Sequence, residues 1–199
     1  MDLYKNNKNE IGVDEAGRGP FFGPVFAGAV IWGDAPDNEL VKDSKKLSAK
    51  KRVIVKEWIE SNVKAYGIGS CSSKEIDNLG ILNATHLAME RAIEQVKNKV
   101  KFDLNNIVID GIGWEKRDFS KEFTIESVVK GDAKYRNIAA ASILAKEYHD
   151  KAIIEICEKN NDLNEKYDLL KNKGYGTKKH REGIAKHGLS SFHRHSFKI

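Results

Sequence analysis

The chain has 199 residues, 34 Lys and Arg against 29 Asp and Glu, a formal net charge of +5, and is 40% hydrophobic and 32% charged. That length suits one domain able to bury most of its apolar surface without staples, and the mild basic excess suits a polyanionic partner without defining one. Two cysteines outside any motif, Cys71 and Cys157, argue against a disulfide framework, while the polar start MDLYKNNKNE and the lack of a membrane-length apolar run exclude a signal peptide and a span and point to the cytoplasm.

In chain order, Ile11 to Val13 reads as a short strand and Val25 to Trp32 as a longer, buried one, joined by the turn-rich DEAGRGPFFGP. Ser48 is placed to cap a helix over 49–60, with Ile54 and Trp58 on one face and Val55 and Ile59 beside them. Residues 63–71 read as a third strand. Ser72 and Glu75 have capping-box spacing, and a helical stretch follows to about 100, with Met89, Ile93, Val96 and Val100 on one face. NIVID at 106–110 and the run 123–129 read as two further strands. An alanine-rich helix over 138–156 can pack closely on a sheet, and the polar remainder is helix-prone, broken by GYG at 174–176. The order predicts an α/β protein: a mixed sheet flanked by helices over 1–156, with a small helical extension over 157–199.

Four acids attract attention because each lies at or near the end of an apolar strand. Asp14 and Glu15 follow the first, Asp110 ends another, and Asp132 comes just after a third. If those strands are neighbours, the carboxylates converge and repel one another. Divalent cations relieve that repulsion best, and hard oxygen donors favour Mg²⁺ or Mn²⁺ over zinc. Two such ions roughly 4 Å apart can clamp a phosphodiester. Taken singly, each acid is more simply a solvated loop residue.

GVDEAGRGPFFGPV at 12–25, DSKKL at 43–47, IDG at 109–111, KGDAKYRNIAAASILAK at 130–146, and GYGTKKH with HRHSF in the tail resemble the signatures of the ribonuclease HII family, in family order over nearly the whole chain. The GRG after the acidic pair favours this family over the ribonuclease HIII type. The resemblance implies a ribonuclease H-like fold with a five-stranded mixed sheet. It implies Asp14, Glu15, Asp110 and Asp132 as catalytic ligands of two divalent ions. It also implies hydrolysis of RNA–DNA hybrids and cleavage 5′ to single ribonucleotides in duplex DNA, leaving 3′-hydroxyl and 5′-phosphate. The corresponding role is ribonucleotide removal. Asp14, leading the cluster, is expected to bridge both ions.

Gly17-Arg18-Gly19 can bring bare backbone up to a ligand, where it can bond the 2′-hydroxyl that separates RNA from DNA; a tight turn needing glycine is the plainer alternative. Tyr175, between two glycines, can stack on a sugar or base, or simply pack. Ser44, Lys45 and Lys46 suit phosphate contact, as do Lys134 and Lys146, and Ser142 shares a helix face with Lys146. Lys178, Lys179, Arg181, His193, Arg194 and Lys198 add tail cations, some of them expected to grip the duplex. The tail histidines fit no zinc-finger spacing. Phe21-Phe22 is bulkier than expected after GRGP, and the segment after Asp110 is idiosyncratic.

Three rivals remain at this level. A nucleic-acid-binding module without catalysis has no use for four anions beside a phosphate. Ribonuclease HIII or a DNA-junction resolvase would share the fold but not the GRG turn with the tail tyrosine. A small-molecule phosphatase would not need the basic loops. The sequence does not reveal a sliding-clamp partner, and monomer is the default.

Overall fold

The computed structural model describes residues 1–5, 7–41, 47–102, 104, 106–117, 119 and 123–199. Its five strands are β1 (Ile11–Ala16), β2 (Val25–Ile31), β3 (Ala65–Cys71), β4 (Asn106–Asp110) and β5 (Thr124–Val128), in the order β3-β2-β1-β4-β5. β1 pairs antiparallel with β2 and parallel with β4; β2–β3 is antiparallel and β4–β5 parallel. This is the mixed five-stranded sheet expected, in a ribonuclease H-like fold. β1 extends beyond Val13 to Ala16, so Asp14 and Glu15 belong to the strand itself.

Alternation along β2 sorts the core onto two faces. Val25, Ala27, Ala29 and Ile31 meet helix α3 (Ile81–Lys97), whose buried stripe includes Ala88, Met89, Ala92 and Ile93. Val30 meets Ala139, Ala140, Ile143 and Leu144 of helix α4 (Arg136–Lys159), along with Val55 and Ile59 of helix α1 (Ala49–Asn62). Each fully buried Val, Ile or Met contributes about 1.5–3 kcal/mol. The small residues on α4 act as expected: a Cβ on Gly28 would lie 2.5 Å from the Ala141 carbonyl oxygen, so only glycine lets helix and sheet approach this closely.

Ser48 caps α1, its side chain accepting from the Lys51 amide, and Ser72 and Glu75 form the predicted capping box on α2 (Ser73–Leu79). Three details differ from the pattern reading. The helical stretch to residue 100 is two helices, because Gly80 adopts φ 76°, ending α2 before α3 begins, and α3 ends at Lys97, short of Val100. The buried stripe of α1 is Val55 and Ile59, while Ile54 is 60% exposed. The alanine-rich helix begins and ends further out, at Arg136 and Lys159, so it runs across residue 156.

Beyond α4 come α5 (Asn161–Tyr167), α6 (Leu169–Asn172) and α7 (Lys178–His187), with the GYG break between the last two. Leu163, Tyr167 and Leu169 close over Phe22, Ile153 and Cys157 in a separate cluster. Phe22 is thus the plug that joins the loop after β1 to the tail. Cys71 and Cys157 are both buried and free.

β3 is one edge of the sheet, and α3 reaches over it. The Gln95 side-chain amide accepts from the Ile68 N–H at 3.1 Å and donates to the Ile68 carbonyl at 2.7 Å. Arg91 donates to the Ser70 carbonyl at 2.6 Å and Lys99 to that of Tyr66 at 2.7 Å. Among the described residues, no helix is long and apolar enough to cross a membrane.

Candidate active site

Parallel pairing of β1 with β4 brings the acids together. Val13 stands level with Ile109, so the next residues, Asp14 and Asp110, leave adjacent strands side by side. Asp14, Glu15 and Asp110 line a cleft of about 420 Å³ with Gly17, Arg18, Gly19, Ser142, Lys146 and Tyr175. Residues from β1, β4, α4 and the tail thus meet in one place. A larger hollow of about 620 Å³ lies along α3 and the β3 edge. Its Arg91 and Gln95 are already bonded to β3, and among the described residues it brings no carboxylates from different strands together, so the smaller cleft is the chemical one.

Asp14 is buried; its Oδ1 accepts from the Glu15 amide at 2.7 Å, and the Ser142 hydroxyl also bonds its carboxylate. Ser142 reaches it because the Gly28 contact seats α4 low on the sheet, and Gly28 is the register partner of Asp14. Burial, then the charges of Glu15 and Asp110, push the Asp14 carboxyl well above the usual range, against the pull of the Ser142 and Glu15 bonds. Burial also raises Glu15, opposed by the charge and hydrogen bond of Arg18, whose Nη1 lies 3.1 Å from Glu15 Oε1. The other oxygen, Glu15 Oε2, is buried with no partner among the described residues. Asp110 Oδ1 accepts from the Gly131 amide at 2.6 Å.

That bond fixes the short 3-10 turn Gly131–Ala133 against the end of β4. The turn is entered through Lys130 at φ 55°, a left-handed conformation that costs a non-glycine residue about 1 kcal/mol. It carries Asp132, which is buried next to the residue that holds Asp110 but is not among those lining the cleft. Among the described residues, no group of three His, Cys, Asp or Glu side chains already forms a metal cage.

The other expected contacts divide. Tyr175 is 42% exposed at the cleft, and Lys146 Nζ lies 5.7 Å from its ring centre while pairing with Asp150 at 2.8 Å. Ser142 and Lys146 share the cleft-facing side of α4. Lys134 is not brought there; its ammonium donates to the Val129 carbonyl at 2.8 Å, beside the turn that bears Asp132. Ser44, Lys45 and Lys46 lie outside the described residues.

Pattern reading missed two residues around this site and left the role of a third open. Arg52 lines the cleft, held by Glu147 at 2.7 Å and the Leu47 carbonyl at 3.0 Å; one cation in a Lys-rich run gave no signal. His149 is fully buried, bonded through Nδ1 to Asp150 at 3.0 Å, and packed against Gly17, where a Cβ would lie 2.4 Å from its ring. Arg194, expected among the cations that could grip a duplex, instead is wholly buried and faces inward. His193 is buried as well, its Nε2 3.0 Å from that of His180.

A ribonuclease H-like sheet with strand-end carboxylates in a cleft is compatible with a nuclease, and comparison with known proteins decides the class. Residues 11–199 match the family Ribonuclease HII. The ribonuclease HII of Christiangramia forsetii is 43% identical over 199 residues, covering all of this chain and 95% of that protein. Among solved structures, ribonuclease HII in a complex with PCNA from Archaeoglobus fulgidus superposes with a TM-score of 0.73 at 25% identity, covering 96% of this chain and 95% of that one. The ribonuclease H2 of Pyrococcus horikoshii superposes with a TM-score of 0.71 at 25% identity, covering 95% and 93%. The chain therefore belongs to the ribonuclease HII family, a family of nucleases that hydrolyse phosphodiesters.

Proposed function

We propose that this chain is an endoribonuclease that hydrolyses the RNA strand of RNA–DNA hybrids. On this reading it also cuts 5′ to single ribonucleotides in duplex DNA, leaving 3′-hydroxyl and 5′-phosphate ends, and so serves ribonucleotide removal. The observation that carries the proposal is one cleft holding Asp14, Glu15 and Asp110 beside the bare backbone of Gly17–Gly19 and the half-exposed Tyr175.

The acids fit divalent cations. They are hard oxygen donors, the Asp14 and Glu15 carboxyls resist ionisation as they stand, and Glu15 Oε2 lacks a partner among the described residues. Asp14, Glu15 and Asp110 would hold two Mg²⁺ or Mn²⁺ ions, with Asp132, carried on the turn beside Asp110, as the fourth acid of the set. Bound there, the ions supply Lewis-acid activation of water and neutralise charge on the phosphate. The protein's own groups do the rest. Ser142 orients the Asp14 carboxylate. Backbone at Gly17–Gly19 tests for a 2′-hydroxyl, Tyr175 packs on the neighbouring sugar, and Lys146, Arg52, Ser44, Lys45 and Lys46 hold phosphates. The tail over 157–199 contributes through Tyr175 and its cations, Lys134 is a further candidate for phosphate contact, and a sliding clamp is the protein partner to test.

End-labelled duplex DNA with one ribonucleotide, incubated with Mg²⁺ or Mn²⁺, tests this beside an all-DNA control and Asp14→Asn. Cleavage 5′ to the ribonucleotide by the wild type alone is the expected result. Binding without cleavage under both metals would favour a silent binding module, and cutting of an all-DNA junction would favour a resolvase.

A further inference from the structure

Arg194 is fully buried, and its guanidinium is spent on backbone. Nη2 donates to the Gly17 carbonyl at 2.6 Å and the Pro24 carbonyl at 3.0 Å, Nη1 to Arg18 at 3.0 Å, and Nε to Gly23 at 2.9 Å. These carbonyls belong to both arms of the loop between β1 and β2. Its own amide donates to Phe21, and Phe21 in turn donates to Gly174, next to Tyr175. One side chain near the end of the chain therefore ties the glycine loop and the segment bearing Tyr175 into one unit.

The direction of these bonds matters more than their number. In a planar trans peptide, the carbonyl and the following N–H point opposite ways. With the Gly17 and Arg18 carbonyls turned onto Arg194, the amides of Arg18 and Gly19 are turned away from it. Neither amide has a hydrogen-bond partner among the described residues, and both residues line the cleft. A pair of consecutive, unspent N–H groups is a donor site for an oxygen. Gly17 stands at φ 88°, with alternative peptide orientations open to it, so something must hold this one.

We infer that Arg194 is a positioning residue for ribose recognition: by anchoring the Gly17 and Arg18 carbonyls, it aims the Arg18 and Gly19 amides at the 2′-oxygen of the ribonucleotide. The inference rests on the proposed function and adds to it a residue outside the cleft. A lysine in its place keeps the charge but cannot reach four carbonyls in fork geometry, so loop orientation is lost while charge is kept.

The test uses the full chain with Arg194→Lys and Arg194→Met. Duplexes with one ribonucleotide and all-DNA duplexes of the same sequence are titrated by fluorescence anisotropy in Ca²⁺, alongside thermal melts and KM and kcat on the ribonucleotide substrate in Mg²⁺. The expected result is a preference for the ribonucleotide duplex that falls about tenfold in both variants, the size of one lost charged-group hydrogen bond, with all-DNA affinity held within twofold. Affinities falling in parallel for both duplexes, or an unchanged preference, would overturn the inference while leaving the proposed function standing. A wild type without preference would remove both. If the variants do not fold, the Arg194 Nε–H resonance of the wild type decides: it should shift on adding the ribonucleotide duplex and not the all-DNA one, and equal responses overturn the inference.

Discussion

The cleft and the tail both bury charge, and they handle it in opposite ways. Around Arg194, one cation meets four carbonyl oxygens, and burial lowers its pKa only to about 10, so it stays charged. In the cleft, three carboxylates share a hydroxyl, two amides and one arginine, and Glu15 Oε2 is left over among the described residues. Buried polar groups are normally satisfied, and one that is not is costly by about 1–3 kcal/mol or more. The tail is therefore finished by folding alone, while on the proposed function the cleft is finished by the ions it would bind. The same contrast separates a residue that shapes a site from residues that receive a ligand.

Removing the shortage in the cleft should have the largest effect. Asp14→Asn is expected to cut cleavage of the single-ribonucleotide duplex at least about 10²-fold, the scale of losing one key electrostatic group. It should also abolish the rise in unfolding temperature that Mg²⁺ or Mn²⁺ gives the wild type, since an ion that binds only the folded state stabilises it. Scanning calorimetry with and without metal checks this, and an equal metal effect in both proteins would sink the assignment.

Tyr175→Ala should come next. Stacking on a nucleotide contributes about 1–3 kcal/mol, so KM should rise roughly five- to 150-fold with the metal response unchanged. An unchanged KM would return this tyrosine to mere packing.

The tail has its own pH signature. The Ser190 amide donates to His193 Nδ1, so His193 must carry its proton on Nε2 and give it to His180, which donates through Nδ1 to the Tyr175 carbonyl. Both rings are neutral, burial lowers both pKa values, and His193 falls to about 4. The unfolded chain takes up these protons near pH 6.5, so the folded state loses stability as pH falls from about 6.5 towards 4. His193→Phe should flatten that part of the stability curve, measured by urea midpoints from pH 7.5 to 4.5. An unaltered slope would show that the relay does not report on pH.

The smallest effect expected is that of Ser142→Ala. Losing one hydrogen bond to Asp14 costs about 1 kcal/mol, and roughly a fivefold weaker metal response in activity titrations should follow. No change would mean that α4 supports Asp14 only by packing.

The sheet, the helix caps and the strand-end acids could be read from sequence because each leaves a local mark: period two, a Ser three residues before a Glu, an acid after an apolar run. The convergence of Asp14 with Asp110 needed only the assumption that their strands are neighbours, which the β1–β4 pairing meets. The division of α2 from α3 was missed because one Gly80 in a good helical pattern is weak punctuation. The direction of Arg194 was missed for a deeper reason: its partners are carbonyls 170 or more residues away in sequence, and carbonyls carry no side-chain signature. Arg52 and His149 failed for the same reason, since burial and partner are tertiary facts. Asp132 shows the limit from the other side, being placed beside Asp110 by its turn yet not lining the cleft.

The side-chain bonds along β3 carry a consequence for the protein in a crowded solution. An open sheet edge is a template on which another chain can add a strand, and such templates seed aggregates. Here the outward groups of Ile68 and the carbonyls of Tyr66 and Ser70 are already engaged by Gln95, Lys99 and Arg91, so an incoming backbone finds few free partners. One amide, Gln95, occupies Ile68 as a neighbouring strand would. Its loss would leave the cleft untouched yet make the enzyme prone to sticking to its own copies.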